Sequence, residues 1–314
     1  MKYLVTGATG FIGTELCRQL RANGEEVVAV SRSGDVLPDG AATLALDFAV
    51  GELDGSVLEG VDTVFHLAGI AHTRAAVTEY ERVNFRATAD LAELARAAGV
   101  RCFVFLSSVK AMGPVGSSGA RSETDVTLPA DPYGLSKWHA ESALREAGQG
   151  SAMATVILRP ALVYDQQAKG NLALLAKAAH YGLPRPPSAG ARSMIARADL
   201  VSLMVSLPEL ELAGVNTWIV ADGQHYTARR VFDALRCADE ASPGIAWLPG
   251  WCWRMAAGLY DLGRGDTVGT TSAKLFAEEL YSNAAVMGAT GWQPLLTLEA
   301  VLQGRIVPAG DMHQ

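Results

Sequence analysis

Cysteine is scarce in this chain and shows no pairing. Cys17, Cys102, Cys237 and Cys252 are scattered through 314 residues, without the paired spacings of a zinc site or a disulfide framework. No metal centre is expected, and the thiols are expected to be reduced and mostly buried. No apolar run reaches the ~18 residues that a membrane span needs. The chain does not open with a charged segment, an apolar stretch and a small-residue cleavage site; strand-forming residues start at once, at Lys2-Tyr3-Leu4-Val5. A cytoplasmic protein is the expectation. Positive charge is also in deficit, with 26 Lys and Arg against 33 Asp and Glu, a net charge of −7. A nucleic-acid partner is therefore not expected, because no basic stripe exists to neutralise phosphates. Any anionic ligand must be held by a few local groups. Internal repeats, low-complexity segments and a sharp linker are absent as well.

The chain does have hydrophobic residues, at 49%, and enough length for one large or two modest domains. Lys2–Thr6 is a short apolar run that stops at Gly7-Ala8-Thr9-Gly10-Phe11-Ile12-Gly13. A helical pattern follows to Asn23-Gly24, then a second strand at Glu26–Val30. Strand, glycine turn, helix and strand form the opening of a dinucleotide-binding unit. Gly7 permits the tight turn, Gly10 lets the backbone approach a pyrophosphate, and Gly13 lets the helix pack close to the sheet. The helix N-terminus attracts the anion, with Phe11 and Ile12 in the loop.

The second strand usually ends on an acid for the adenosine ribose. Here it ends Val30-Ser31-Arg32-Ser33. A guanidinium flanked by hydroxyls suits a 2′-phosphate, so NADP(H) is preferred, with NAD(H) as the alternative. A third strand, Ala42–Leu46, ends at Asp47-Phe48. An acid there can accept from the adenine amine or cap a turn. A fourth strand, Val61–Leu67, runs into Ala68-Gly69, small residues that a cofactor can pass closely. His66, at that apolar strand end, reads as a buried structural histidine. Glu79–Ala98 reads as a long helix with Asn84 and Thr88 one turn apart. A fifth strand, Arg101–Leu106, ends in Ser107-Ser108.

Asp131-Pro132-Tyr133-Gly134-Leu135-Ser136-Lys137 then sets a tyrosine four residues before a lysine at the start of a helical run. Those two side chains share a helix face. A cationic amine beside a phenol lowers its pKa and makes it a usable acid or base near neutrality. Repeated strand–helix alternation predicts an α/β fold, a Rossmann-type doubly wound parallel sheet with ligands at the carboxyl ends of its strands.

The glycine loop, His66-Leu67-Ala68-Gly69, Asn84, Ser108 and Tyr133-xxx-Lys137 together resemble the extended short-chain dehydrogenase/reductase family. Within it the chain resembles the NAD(P)-dependent epimerase/dehydratase branch that acts on nucleotide sugars. The resemblance implies that Ser108 hydrogen-bonds the reacting sugar oxygen, Tyr133 is the acid/base, and Lys137 holds the nicotinamide ribose and tunes Tyr133. It places Leu67, Ala68, Gly69, Asn84 and the loop after the sixth strand Thr155–Leu158, at Pro160, beside the cofactor. It implies residues 1–165 as the dinucleotide-binding domain, with a returning segment at about 198–225. Residues 166–197 and 226–314 would form a smaller mixed substrate-binding domain. There Asn171 would contact the nucleotide diphosphate or simply cap its helix, and Arg192 would pair with the pyrophosphate. Lys110 reaches the sugar, a phosphate or solvent. Arg197 is assigned no role, and Arg229 and Arg230 are expected in solvent. Tyr226–Cys237 is expected to be helical, starting near Thr227. The aromatic run Leu248–Leu262 is expected to pack in the core. The substrate is expected to be UDP-linked, and a homodimer is left open.

The reaction is narrowed by another absence. Val109-Lys110 follows Ser108 where sugar 4,6-dehydratases carry an Asp-Glu pair, so dehydration is set aside. The Ser107-Ser108-Val109-Lys110 pattern resembles reductases of UDP-4-keto-6-deoxy-N-acetylhexosamines, and reduction of that C4 ketone is the leading expectation. A UDP-sugar 4-epimerase is the alternative, and a non-catalytic NADP(H)-binding regulator is a third reading from another class.

Overall fold

Among the described residues, ten short strands and eleven α-helices make up the computed structural model, alternating along most of it. It describes residues 1–304 apart from 49, 51–53, 72–74, 116–118, 167–170, 243–247 and 266, and without the side chains of 171, 174 and 273–275. The strands are β1 Lys2–Thr6, β2 Glu26–Ser31, β3 Leu44–Ala45, β4 Thr63–His66, β5 Cys102–Leu106, β6 Ala154–Pro160, β7 Leu162–Tyr164, β8 Ala191–Ala196, β9 Val215–Val220 and β10 His225–Thr227. The helices are α1 Gly13–Ala22, α2 Val77–Tyr80, α3 Ala87–Ala97, α4 Pro132–Ala147, α5 Asn171–His180, α6 Arg197–Ser206, α7 Ala228–Ala238, α8 Gly250–Arg264, α9 Thr270–Phe276, α10 Ala284–Thr290 and α11 Leu298–Leu302.

Seven strands form one parallel sheet in the order β3-β2-β1-β4-β5-β6-β9. A parallel sheet is covered on both faces, so its strands are apolar on both sides. Val5, Phe65, Val104 and Val156 face one way, against Leu16 and Leu20 of α1 and Leu200 and Met204 of α6. Leu4, Val64, Phe103 and Ile157 face the other, against Leu91 and Ala95 of α3 and Ala140 and Leu144 of α4. All sixteen are buried, at 1% exposure or less, and full burial stabilises by about 1.5–3 kcal/mol per large apolar side chain. The strand order reverses between β1 and β4, which opens a crevice at their carboxyl ends.

A second, three-stranded sheet has the order β10-β8-β7. Strand β8 is parallel to β7 and antiparallel to β10. Its own small core contains Tyr164, Met194, Tyr226, Val231, Leu298 and Val301. The fold is thus the expected doubly wound sheet with a smaller mixed unit.

Three local expectations need correction. Tyr226 lies in β10, not in a helix, and α7 starts after it with Thr227 as N-cap, accepting from the Arg230 amide. Pairing with β8 and complete burial of the ring outweigh the helical pattern on that side of Thr227. Arg229 and Arg230 are half-buried and partnered rather than free in solvent. Arg229 donates to the Pro186 carbonyl, while Arg230 pairs with Glu299 at 2.7 Å and covers the Tyr226 ring. The apolar side chains of α8 do not fill a core: Trp251, Met255, Leu259 and Leu262 are 63%, 58%, 67% and 63% exposed. The inward face of α8 is instead made of Ala257, Gly258 and Asp261. Small residues let α9 approach, and Asp261 accepts from the amides of Gly269 and Thr271. Of the cysteines, Cys17 and Cys102 are buried, Cys237 is exposed and Cys252 half-buried, all unpaired.

Candidate active site

The glycine loop follows β1 directly and lies against the end of β4. Gly7 has φ +68°, and a Cβ there would sit 2.8 Å from the Ala68 nitrogen. A Cβ on Gly13 would be 2.2 Å from the Gly7 carbonyl oxygen. So α1 starts in contact with the turn. Gly10 and Gly69 are exposed on the crevice side. Glycine at Gly7 and Gly13 lets the turn pack directly on the end of β4 and the start of α1, and the exposed Gly10 beside that helix end suits a dinucleotide's diphosphate.

Beneath the loop a chain of hydrogen bonds fixes the β4 end. The Ala68 amide donates to Thr6 Oγ1 at 3.2 Å, and Thr6 Oγ1 lies 2.8 Å from His66 Nδ1. His66 Nε2 lies 2.9 Å from Thr88 Oγ1, which donates to the Asn84 carbonyl at 2.8 Å. Only one assignment satisfies all four: Thr6 donates to Nδ1, and Nε2–H donates to Thr88. Burial, with the Lys137 charge, pushes His66 down to about 3, so the ring is neutral and structural. Asn84 clamps the next residues, accepting from the Ile70 amide at 2.7 Å and donating to its carbonyl at 2.9 Å. It also donates to Ser136 Oγ on α4. Asn84 lies in a π-helical segment, Glu81–Arg86, between α2 and α3.

Helix α4 delivers Tyr133 and Lys137 to the same edge. Asp131 caps it, accepting from the Gly134 amide at 2.8 Å, and Pro132 occupies the first turn; such a cap contributes about 1 kcal/mol. Ser108 leaves β5 and caps a 3-10 turn, Val109–Met112, accepting from the Lys110 amide. Its hydroxyl also faces the Tyr133 phenol closely enough to pull the phenol's pKa downward.

The expected effect of Lys137 on Tyr133 is not what the structure contains. Burial dominates at Tyr133 and pushes the phenol up to about 12. Lys137 Nζ instead donates to the Leu106 carbonyl at 2.9 Å and lies 4.5 Å from the Phe105 ring centroid. It is aimed at the end of β5 and next to Gly69. Burial lowers Lys137 to about 8, opposed by the charge of Glu141.

Residues 3–198 match the NAD dependent epimerase/dehydratase family. The chain belongs to that family. The UDP-glucose 4-epimerase of Vibrio cholerae is 30% identical over 94% of this chain and 92% of its own. The 2-alkyl-3-oxoalkanoate reductase of Stenotrophomonas maltophilia is 34% identical over 55% of each chain. Among solved structures, MoeE5 in complex with UDP-glucose and NAD superposes with a TM-score of 0.75 at 25% identity, covering 96% of both chains. The chain is thus an enzyme of the short-chain dehydrogenase/reductase type, and the reading as a non-catalytic regulator is set aside.

Elsewhere in this epimerase/dehydratase chain, the adenosine end differs from expectation. The Ser31 hydroxyl accepts from the Gly34 and Asp35 amides at 3.0 Å each and lies 2.7 Å from Thr43 Oγ1. Ser33 donates to the Asp35 carboxylate at 2.8 Å. Both hydroxyls flanking Arg32 are therefore committed to a turn, and a carboxylate sits beside them. Arg32 itself is exposed. Phe48 packs edge-on to His66 at 5.6 Å, and Asp47 is half-buried beside it. Pro160 is buried at the end of β6. Lys110 is exposed and pairs with Glu279 at 3.4 Å. Arg192, on β8, has a buried Nη2 with no hydrogen-bond partner among the described residues. The Asn171 side chain lies outside the described residues.

Two supports were not anticipated from sequence. Glu141 is fully buried on α4, one turn beyond Lys137, and accepts from Ser107, from Arg145 and from Nε and Nη2 along one edge of Arg159. Its i+4 spacing from Lys137 was the available signal; Arg159, from β6, had none. Arg197 reaches the glycine loop, donating to the Phe11 carbonyl at 3.1 Å.

Proposed function

We propose that this enzyme inverts C4 of a UDP-linked hexose, with NAD(H) held in the β1/β4 crevice. The observation that carries the reading is the convergence of Ser108, Tyr133 and Lys137 at the strand edge beside the glycine loop, with no acid following Ser108. When bound, the oxidised nicotinamide would take the hydride from C4 and return it to the opposite face of the resulting 4-keto sugar, which inverts the centre. Tyr133 takes the proton from the C4 hydroxyl and returns it, so hydride and proton move together. Ser108 donates to the C4 oxygen and orients it. Lys137, buried beside Gly69, holds the cofactor's ribose. With no carboxylate after Ser108, nothing there assists loss of water.

Residues 166–197 and 226–314 are assigned to the substrate lobe. The unpartnered Arg192 Nη2 supports a diphosphate contact, and Lys110, paired with Glu279, lines the approach to Ser108. NAD(H) is favoured over NADP(H) because the hydroxyls beside Arg32 are occupied and Asp35 would repel a 2′-phosphate. The near full-length match to a protein named UDP-glucose 4-epimerase supports epimerisation.

A second reading, reduction of a UDP-4-keto-6-deoxy-hexosamine, is favoured by the Ser107-Ser108-Val109-Lys110 pattern and by the exposed Arg32. One experiment separates the two. The cofactor that purifies with the protein is released and identified. The protein is then incubated with UDP-galactose, UDP-N-acetylglucosamine and a UDP-4-keto sugar, with and without NADPH. Interconversion without net cofactor consumption identifies the epimerase. Stoichiometric NADPH consumption with the keto sugar alone identifies the reductase and overturns the first reading.

A further inference from the structure

The Arg197 guanidinium joins three segments that are far apart in sequence. Its Nη1 donates to the Phe11 carbonyl at 3.1 Å, and its Cζ lies 4.7 Å from the centre of the Phe11 ring. Its Nη2 meets the Asp165 carboxylate at 2.5 Å. Arg197 is the first residue of α6, and Asp165 directly follows β7. Phe11 lies in the glycine loop, just before α1.

A trans peptide holds its C=O and the following N–H pointing in opposite directions. A guanidinium that grips the Phe11 carbonyl therefore orients the Ile12 amide away from itself. That amide opens the N-terminus of α1, where an anion is received. Stacking on the Phe11 ring fixes the loop from a second direction. Asp165 neutralises the guanidinium, so Arg197 acts through geometry more than through net charge. Asp165 also begins the segment leading from the sheet into the substrate lobe, which ties that exit to the cofactor loop.

We propose that Arg197 is a positioning residue for the cofactor's diphosphate, setting how tightly the dinucleotide is held by fixing the Phe11–Ile12 peptide. This rests on the reading that the glycine loop binds a nicotinamide dinucleotide. A planar fork can serve Phe11 and Asp165 together, whereas a lysine can serve one at a time.

The test uses the full chain stripped of bound nucleotide. NADH and, separately, UDP are titrated against wild type, Arg197→Met, Arg197→Lys and Asp165→Asn, and the melting temperature of each is recorded. Loss of a charge-assisted hydrogen bond predicts an NADH dissociation constant raised about tenfold or more in Arg197→Met. UDP affinity should stay unchanged, Arg197→Lys should recover part of the loss, and Asp165→Asn should lose less than Arg197→Met. NADH affinity equal to wild type in Arg197→Met overturns the proposal alone. So does a parallel fall in NADH affinity, UDP affinity and melting temperature, which marks general unfolding; should Arg197→Met not fold, Arg197→Lys and Asp165→Asn are judged on the same ratio of NADH to UDP affinity. Wild type that binds neither NADH nor NADPH overturns the parent reading, and the proposal with it.

Discussion

Glu141 holds Arg159 through two hydrogen bonds, at 2.9 Å to Nε and 2.6 Å to Nη2, with both side chains buried. This pair bolts α4 to β6, and Ser107 adds a bond from the β5 end at 2.6 Å. The helix that carries Tyr133 and Lys137 is thereby fixed to the strands that carry Ser108 and Pro160.

Glu141→Gln leaves the Arg159 guanidinium buried without its counter-charge. Breaking one side of a buried ion pair costs about 3–5 kcal/mol. Urea denaturation at pH 7 should show that loss. A change below about 1 kcal/mol would mean that water or Glu123 replaces the carboxylate.

Tyr133→Phe removes the hydroxyl and keeps the ring packed near Tyr80. NADH binding should match wild type, while turnover falls by roughly 10²–10⁴, the usual weight of a general acid/base. Titration of NADH and steady-state assay of the same preparation check both halves. Unchanged turnover would remove Tyr133 from the chemistry.

Asp199 accepts from the Leu295 and Leu296 amides through one oxygen, at 3.1 and 2.9 Å. Burial raises its carboxyl to about 6, and the nearby Asp222 charge adds to the rise. A folded-state value above the unfolded one means that the native state holds the proton more tightly. Its stabilisation is complete below about pH 4 and is lost as pH rises through 6. Asp199→Asn keeps a carbonyl acceptor for both amides and cannot ionise. It should equal wild type at pH 4 and exceed it by roughly 1–3 kcal/mol at pH 8. Denaturation curves at the two pH values decide; lower stability at both would mean that the amide cannot be accommodated.

Trp251 and Leu259 stand on the exposed stripe of α8. The double change Trp251→Gln and Leu259→Gln should alter folding stability by no more than about 0.5 kcal/mol each. Calorimetry checks this, and a loss of core-sized magnitude would show that the stripe is covered in solution.

Much of the fold was legible in short-range pattern. The apolar runs from Lys2, Glu26, Val61, Arg101, Thr155 and Asn216 all correspond to strands of the large sheet, within a few residues. Strand β10 was not legible, because three residues that pair with β8 carry no periodicity of their own. The outward stripe of α8 was not legible either. Apolar content reports how much could be buried, whereas the partner helix decides which side is.

The sequence by itself determined the glycine loop, the doubly wound topology and the Tyr133–Lys137 spacing, because each follows from backbone sterics or from helix and strand periods. Only the tertiary structure decided where the charges point. Lys137 turns to the Leu106 carbonyl, the hydroxyls of Ser31 and Ser33 are used up in a turn, and Arg197 reaches Phe11 across 186 residues. Burial and hydrogen-bond partners set these outcomes, and both are properties of neighbours that the linear order does not place side by side.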